Sequence, residues 1–218
     1  MKRIARILLS TSPLLYYYFR RIYHRTRSLF FVKNQRKEPK YNLDGIVINK
    51  HFTFKASETA NVFYFCSTNQ ELYQLIMWLD VFKKHGTPFF VCVRKPEVYN
   101  HLTKIGIKVI LVIRLESLNF IPNLGVKNVF YVNNAANNTH LVRYNELTHI
   151  QLLHGDSDKP ASFNPISQMY DLIYVAGTAA INRYYNNGVY IPKNKFVIVG
   201  RPQLSTFDDF RIDKANEI

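Results

Sequence analysis

From residue 41 onward the chain alternates between two apolar periodicities, and that alternation leaves few folds open to it. Short runs rich in Val, Ile, Phe and Tyr occur at 45–48, 61–66, 88–93, 108–113, 126–132, 148–153, 171–176 and 195–199. Nearly continuous apolar runs of this length predict strands buried on both faces. Between them lie segments with helical spacing. In 69–84, Leu72, Leu75, Ile76, Leu79 and Phe82 fall on one stripe, and Gly86 stands where a helix stops. Similar segments occupy 96–105, closed by Gly106, then 138–146, then 178–187, closed by Gly188. Strands and helices in this order predict an α/β domain built on a Rossmann-like, largely parallel sheet over residues 41–204.

The charge is distributed unevenly. The 218 residues carry a formal net charge of +14, a value that first suggests a polyanionic partner. Residues 1–40 hold eleven Lys and Arg against Glu38 alone, so this leader carries +10 and the other 178 residues only +4. A nucleic-acid-binding domain spreads its cations over a folded face, so no nucleic-acid partner is expected. Within the leader an uncharged run, Ile7 to Phe19, is interrupted by Ser10-Thr11-Ser12-Pro13. It falls short of the roughly 20 apolar residues that span a bilayer. No small-residue cleavage site follows it, so it also reads poorly as a secretory signal. Tyr16, Tyr17, Tyr18, Phe19, Tyr23, Phe30 and Phe31 are interleaved with Arg3, Arg6, Arg20, Arg21, Arg25 and Arg27. Rings at headgroup depth with cations facing anionic lipid suit a membrane-surface anchor, which implies a peripheral location on the cytoplasmic face of the cell membrane; a solvated basic arm and an RNA-binding arm are the alternatives. Cys66 and Cys92 lie inside apolar runs, without zinc spacing or a disulfide framework, and are expected to be buried small hydrophobes.

In parallel sheets chemistry gathers in the loops that leave the carboxyl ends of strands. Three such loops are polar. Ser67-Thr68-Asn69 has the composition of a helix cap and can also present donors to an anion. Asn133 to His140 is dense in amides and is expected to cap the next helix. The third, His154-Gly155-Asp156-Ser157-Asp158-Lys159, gathers a titratable base, a flexible turn, two carboxylates and a cation. There His154 is suited to take a proton from a hydroxyl, Asp156 or Asp158 to orient the imidazole, and Lys159 to hold a phosphate. The alternative is a solvated turn whose carboxylates accept backbone hydrogen bonds. His149 and His154 are five apart, so on a continuous strand they face opposite ways, and no metal site is expected from them. No cofactor is expected either.

The stretch from His149 to Gln203 resembles the CDP-glycerol glycerophosphotransferase family, which builds wall teichoic acids and related glycerol-phosphate polymers. The resemblance rests on His154-Gly155, Lys159, Asp171 to Gly177, Gly188-Val189 and Val199-Gly200-Arg201-Pro202. Asp156 stands where that family usually has Thr. The resemblance implies the amino-terminal half of a two-domain GT-B transferase associated with a membrane. It implies that His154 deprotonates a terminal glycerol hydroxyl, which attacks the β-phosphate of a CDP-activated polyol and expels CMP. Gly155, Asp156, Asp158, Lys159 and Arg201 would then surround phosphate charge. Residues 205–218 are polar and read as a linker or terminal helix, so the chain is expected to be a truncated or split member of the family or to take its second GT-B domain from a partner chain. The acceptor implied is an anionic polymer. Two other readings stay open at this point: a non-catalytic membrane-peripheral binding module, and a nucleotide-sugar glycosyltransferase holding a divalent ion on Asp156 and Asp158.

The leader yields a direct test. A fluorescent fusion of residues 1–40 is expected to sediment with vesicles containing anionic lipid and to stay free of zwitterionic ones, with binding that weakens as salt rises. Equal indifference to both vesicle types would remove the anchor.

Overall fold

The computed structural model describes residues 42–43, 45–52, 55–152 and 159–201. The leader, the segment 153–158 and the residues after 201 lie outside the described residues.

Nine strands form a single sheet among the described residues: β1 (Asn42–Leu43), β2 (Ile46–Ile48), β3 (Asn61–Phe65), β4 (Phe90–Val93), β5 (Val109–Val112), β6 (Asn128–Tyr131), β7 (Thr148–Gln151), β8 (Leu172–Val175) and β9 (Phe196–Ile198). Their order is β1-β2-β5-β4-β3-β6-β7-β8-β9. From β5 to β9 every pairing is parallel, so the predicted α/β class and largely parallel sheet are what the chain adopts. The first predicted strand takes a different role. β2 runs antiparallel to β5, and β1 folds back on it through the turn at Gly45, with Asn42 opposite Val47 and Leu43 opposite Ile46. An antiparallel hairpin capping a parallel sheet needs no crossover helix, which is why so short a connection suffices.

The helices are α1 (Ala56–Thr59), α2 (Leu72–Lys84), α3 (Pro96–Lys104), α4 (Thr139–Val142) and α5 (Thr178–Asn186). They divide between the two faces of the sheet. On one face Phe63, Phe65, Val91, Val93 and Phe130 meet Leu75, Trp78 and Leu79 of α2 and Val98 and Leu102 of α3. On the other Tyr64, Cys66, Cys92 and Tyr131 meet Leu141 of α4, Ala180 and Tyr184 of α5, and Leu118 and Ile121 from a 3-10 segment. Strand residues alternate between the two sets, as the period of two requires, and β4 and β5 are buried along their whole length. Both cysteines are free and buried, as expected.

Local signals account for most boundaries. Gly86 ends α2 at φ +63, and Gly106 follows α3 at φ +77, a backbone region that carries little steric cost only for glycine. Thr68 and Glu71 form a reciprocal capping box at the entry to α2. Residues 138–146, predicted as a helix, are corrected by the structure: a 3-10 turn at Ala136–Asn138 leads into only four helical residues, and the chain leaves the helix at Arg143. Tyr144 and Leu147 instead form tight turns that lead directly into β7. Asn49 fixes the end of β2, its amide donating to Ile107 O at 2.7 Å while its Oδ1 accepts from Val109 N at 3.2 Å. No helix among the described residues is long and apolar enough to cross a membrane.

The Phe63 ring, fully buried, centres one of these packing sets, with Phe82, Phe89 and Phe130 at centroid distances of 4.8, 5.5 and 5.3 Å. Replacing Phe63 by Ala should remove about 3–5 kcal/mol from unfolding stability through lost transfer energy and the cavity left behind. Urea denaturation measures this; a change below about 1 kcal/mol would mean that the cluster is not a packed unit.

Candidate functional site

The winding of the sheet reverses between β3 and β6. From β3 the chain works outward through β4 to β5, then returns to β6 on the other side of β3 and continues to β9. Helices therefore leave the carboxyl ends of β3 and β6 toward opposite faces, and sheets of this winding usually take their ligand in the crevice between such loops. The residues that leave the strands on this side are Cys66 and Ser67 after β3, Arg94 after β4, Asn133 and Asn134 after β6, and Leu152 after β7.

Hydrogen bonds connect these exits. Asn133 Nδ2 donates to Ser67 Oγ at 3.0 Å and to Gln74 Oε1 at 3.1 Å, so the β6 loop is tied across the crevice to the β3 loop. Asn138 is almost fully buried. Its Nδ2 donates to Asn133 O at 2.6 Å and to Tyr170 Oη at 2.9 Å, and its Oδ1 accepts from Cys66 Sγ at 3.4 Å. The amide-rich loop was expected to cap the following helix; instead no side chain caps α4, and the amides tie one strand exit to another. Asn134 extends the tie, donating from Nδ2 to Ala161 O at 3.3 Å. Leu152 N donates to Tyr131 O at 2.6 Å. Leu152 is thus tied to β6, and Ala161 to the β6 loop.

His154, Gly155, Asp156 and Asp158 fall in that segment and lie outside the described residues, as do the six leader arginines Arg3, Arg6, Arg20, Arg21, Arg25 and Arg27. Lys159 and Arg201 are described. Both are exposed: Lys159 precedes the 3-10 turn Pro160–Phe163, and Arg201 follows β9 on the same carboxyl side of the sheet. Among the described residues no cluster of His, Cys, Asp and Glu is arranged to hold a metal.

His149, the other histidine of the region, is part of the core. Nε2 lies 2.9 Å from Tyr144 O and Nδ1 2.9 Å from Tyr131 Oη. The carbonyl can only accept, so Nε2 carries the proton and Nδ1 accepts from the tyrosine hydroxyl. Burial lowers its pKa, partly opposed by the Tyr144 carbonyl and the charges of Asp171 and Glu146. Both ring nitrogens are committed, so His149 has none left for catalysis.

Sequence reasoning passed over Arg94. It is half-buried at the carboxyl end of β4, where Nη2 donates to Ile113 O at 3.2 Å. Nε and Nη1 are shielded from solvent and have no hydrogen-bond partner. Beside it the Tyr64 hydroxyl and His140 Nδ1 are likewise buried and make no well-aligned hydrogen bond. Burial raises the Tyr64 pKa, and Arg94 pulls in the opposite direction through its charge and a hydrogen-bond contact to the hydroxyl oxygen. His140 is lowered by burial first and then by the charges of Arg94 and Arg143. Burial also pushes the Cys66 thiol up to about 11 and the Cys92 thiol up to about 12, so neither is a reactive thiolate at neutral pH. The signal for Arg94 was present in the sequence, a lone cation ending an otherwise apolar strand run, but its neighbours come from β3 and α4, far away in the chain.

The two histidines make stability depend on acidity. His149 and His140 both have folded pKa values below the ordinary imidazole value of 6.5, so the unfolded chain binds protons more readily. Their contribution is complete above that value and is lost as pH falls below it. Urea midpoints should therefore drop between about pH 7.5 and about pH 5.5. His149→Gln, which cannot gain the proton, should flatten part of that slope. A wild-type midpoint that rises on acidification through this window would contradict the assignment.

No protein-family model matches this chain, and no curated protein matches it. Among solved structures, a glycosyltransferase from Rickettsia africae ESF-5 matches with a TM-score of 0.46 and 13% sequence identity over 65% of this chain. The match covers 42% of that structure's chain, so this protein spans less than half the length of the glycosyltransferase to which it is similar.

Proposed function

We propose that this chain is the acceptor-side half of a glycerophosphotransferase-like enzyme that moves glycerol phosphate from CDP-glycerol onto a hydroxyl of an anionic cell-wall or capsular polymer. The observation that carries the reading is the position of the His154 segment in the chain: it follows the carboxyl end of β7, one strand from the reversal between β3 and β6. That is where a parallel sheet of this winding offers a ligand crevice. The resemblance of His149 to Gln203 to the glycerophosphotransferases supplies the chemistry. In this mechanism His154 takes the proton of the attacking hydroxyl, that oxygen bonds to the β-phosphorus of CDP-glycerol, and the bond to the bridging oxygen breaks to release CMP. Lys159 and Arg201, exposed on the same side of the sheet, are suited to stabilise the phosphate charge that develops.

A second domain would close the crevice and complete the donor site, and the basic leader would hold the protein at the cytoplasmic face of an anionic membrane. His154→Ala should lower transfer of radiolabelled glycerol phosphate by about 100-fold or more, the usual scale for loss of a general base. The assay uses the full chain together with its partner domain, and includes UDP-sugars as alternative donors. Undiminished transfer by the variant would remove His154 as the base. Transfer from a UDP-sugar that stops in the presence of a chelator would point to a metal held by Asp156 and Asp158 instead.

A further inference from the structure

The strongest unexplained feature of the described residues is a buried cation with no counter-charge. Tyr64 and Cys92 are register partners in the parallel β3–β4 pair, so the residues two further along, Cys66 and Arg94, emerge side by side at the crevice on the same face of the sheet. Asn138, hydrogen-bonded to Cys66, brings the start of α4 to that spot, and His140 follows one residue into the helix. Three elements separated in sequence thus converge there: the ends of β3 and β4 and the beginning of α4.

The partnerless polar groups at the convergence, on Arg94, Tyr64 and His140, can donate to an anion, whereas Asn134 Oδ1 and Gln151 Oε1 at the neighbouring strand exits are acceptors. Arg94 has used one donor on Ile113 O and contacts the Tyr64 oxygen, while Nε and Nη1 make no well-aligned bond and the Tyr64 hydrogen is still free to donate. Lys95, next in the chain, adds a second positive charge that reaches Cys66, and Arg143 adds a third that reaches His140. No carboxylate among the described residues pairs with Arg94; the ion pairs there are Lys83 with Asp80 and Lys108 with Glu58. A guanidinium removed from water without a counter-ion is costly, and folds keep one mainly where a ligand supplies the missing charge. Arg94 as a residue is partly exposed, which leaves a route from solvent.

We infer that Arg94, with the Tyr64 hydroxyl and His140 beside it, is a binding site for the phosphate group of a substrate, seated over the carboxyl ends of β3 and β4. The planar donors of a guanidinium, with a hydroxyl beside them, match the several oxygens of a phosphate or diphosphate. Such a group can belong to a nucleotide-activated donor or to the phosphate of a polymer acceptor. The site stands on geometry separate from the His154 segment, so it does not depend on the transfer reaction proposed above.

The test is thermal unfolding and calorimetric titration of the full chain with inorganic pyrophosphate, against sodium chloride at equal ionic strength. Wild type should bind and gain Tm with pyrophosphate but not with chloride. Arg94→Met should abolish the gain while leaving the ligand-free chain as stable as wild type or more so, because an unpaired buried charge has been removed. Arg94→Lys, which retains a charge but not the planar donors, should raise the pyrophosphate Kd at least roughly tenfold. CDP competing with pyrophosphate would assign the site to the donor, and glycerol 3-phosphate competing where CDP does not would assign it to the acceptor. The inference is overturned if wild type gains nothing from pyrophosphate, if Arg94→Met retains the gain, or if Arg94→Met is less stable without ligand and Arg94→Lys binds as wild type does. None of these outcomes depends on His154.

Discussion

The parallel pairing of β3 with β6 organises the remainder of the molecule. Asn61, Val62 and Phe63 face Asn128, Val129 and Phe130 across it, and Asn128 Nδ2 donates to Asn61 Oδ1 at 3.0 Å near the amino ends of the two strands. On either side of that joint the winding runs in opposite directions. Parallel strands need crossovers, crossovers in a right-handed sense put helices on a face of the sheet, and reversal of the winding puts them on both. Two-sided burial of β3, β4 and β6 follows, and so does the parting of loops at their carboxyl ends. The crevice is therefore a consequence of strand order before any side chain is considered.

How that crevice is furnished depends on which polar groups the fold has satisfied. Asn133 and Asn138 spend nearly all of their capacity on Ser67, Gln74, Cys66, Tyr170 and backbone, making a rigid rim. His149, with Tyr131 on one ring nitrogen and the Tyr144 carbonyl on the other, is likewise spent. Arg94, Tyr64 and His140 are not. In a low-dielectric environment a satisfied network and an unsatisfied one differ sharply in cost, because each orphaned donor keeps its desolvation penalty. The contrast within a few residues separates groups that hold the crevice together from groups poised to hold something else.

The sheet has unlike ends. At the β1–β2 side an antiparallel hairpin covers the edge of β5, whereas at the other end Ile198 of β9 and Val199 just after it have about half of their surface exposed. Among the described residues no strand pairs with the outer edge of β9, and an apolar parallel edge is a natural seam for further structure.

The eight apolar runs announced eight strands, and three of the four helical stripes returned as α2, α3 and α5, because periods of two and 3.6 are local consequences of backbone geometry. Thr68 with Glu71, Gly86 and Gly106 were legible for the same reason: caps and left-handed stops act within a few residues. The helix expected over 138–146 contracted to four residues because Asn138 is held by Cys66 and Tyr170, partners that no local pattern reveals. The His154 loop was visible as a dense polar cluster that follows β7 in the chain. Arg94 was invisible as a site: a cation after an apolar run looks like any strand end. Only packing brings β3, β4 and α4 around it, with no counter-ion among the described residues. Sequence alone determined the elements and their alternation, since those depend on neighbours along the chain; tertiary structure decided which polar groups were satisfied and which were left for a ligand, since desolvation and pairing depend on neighbours in space.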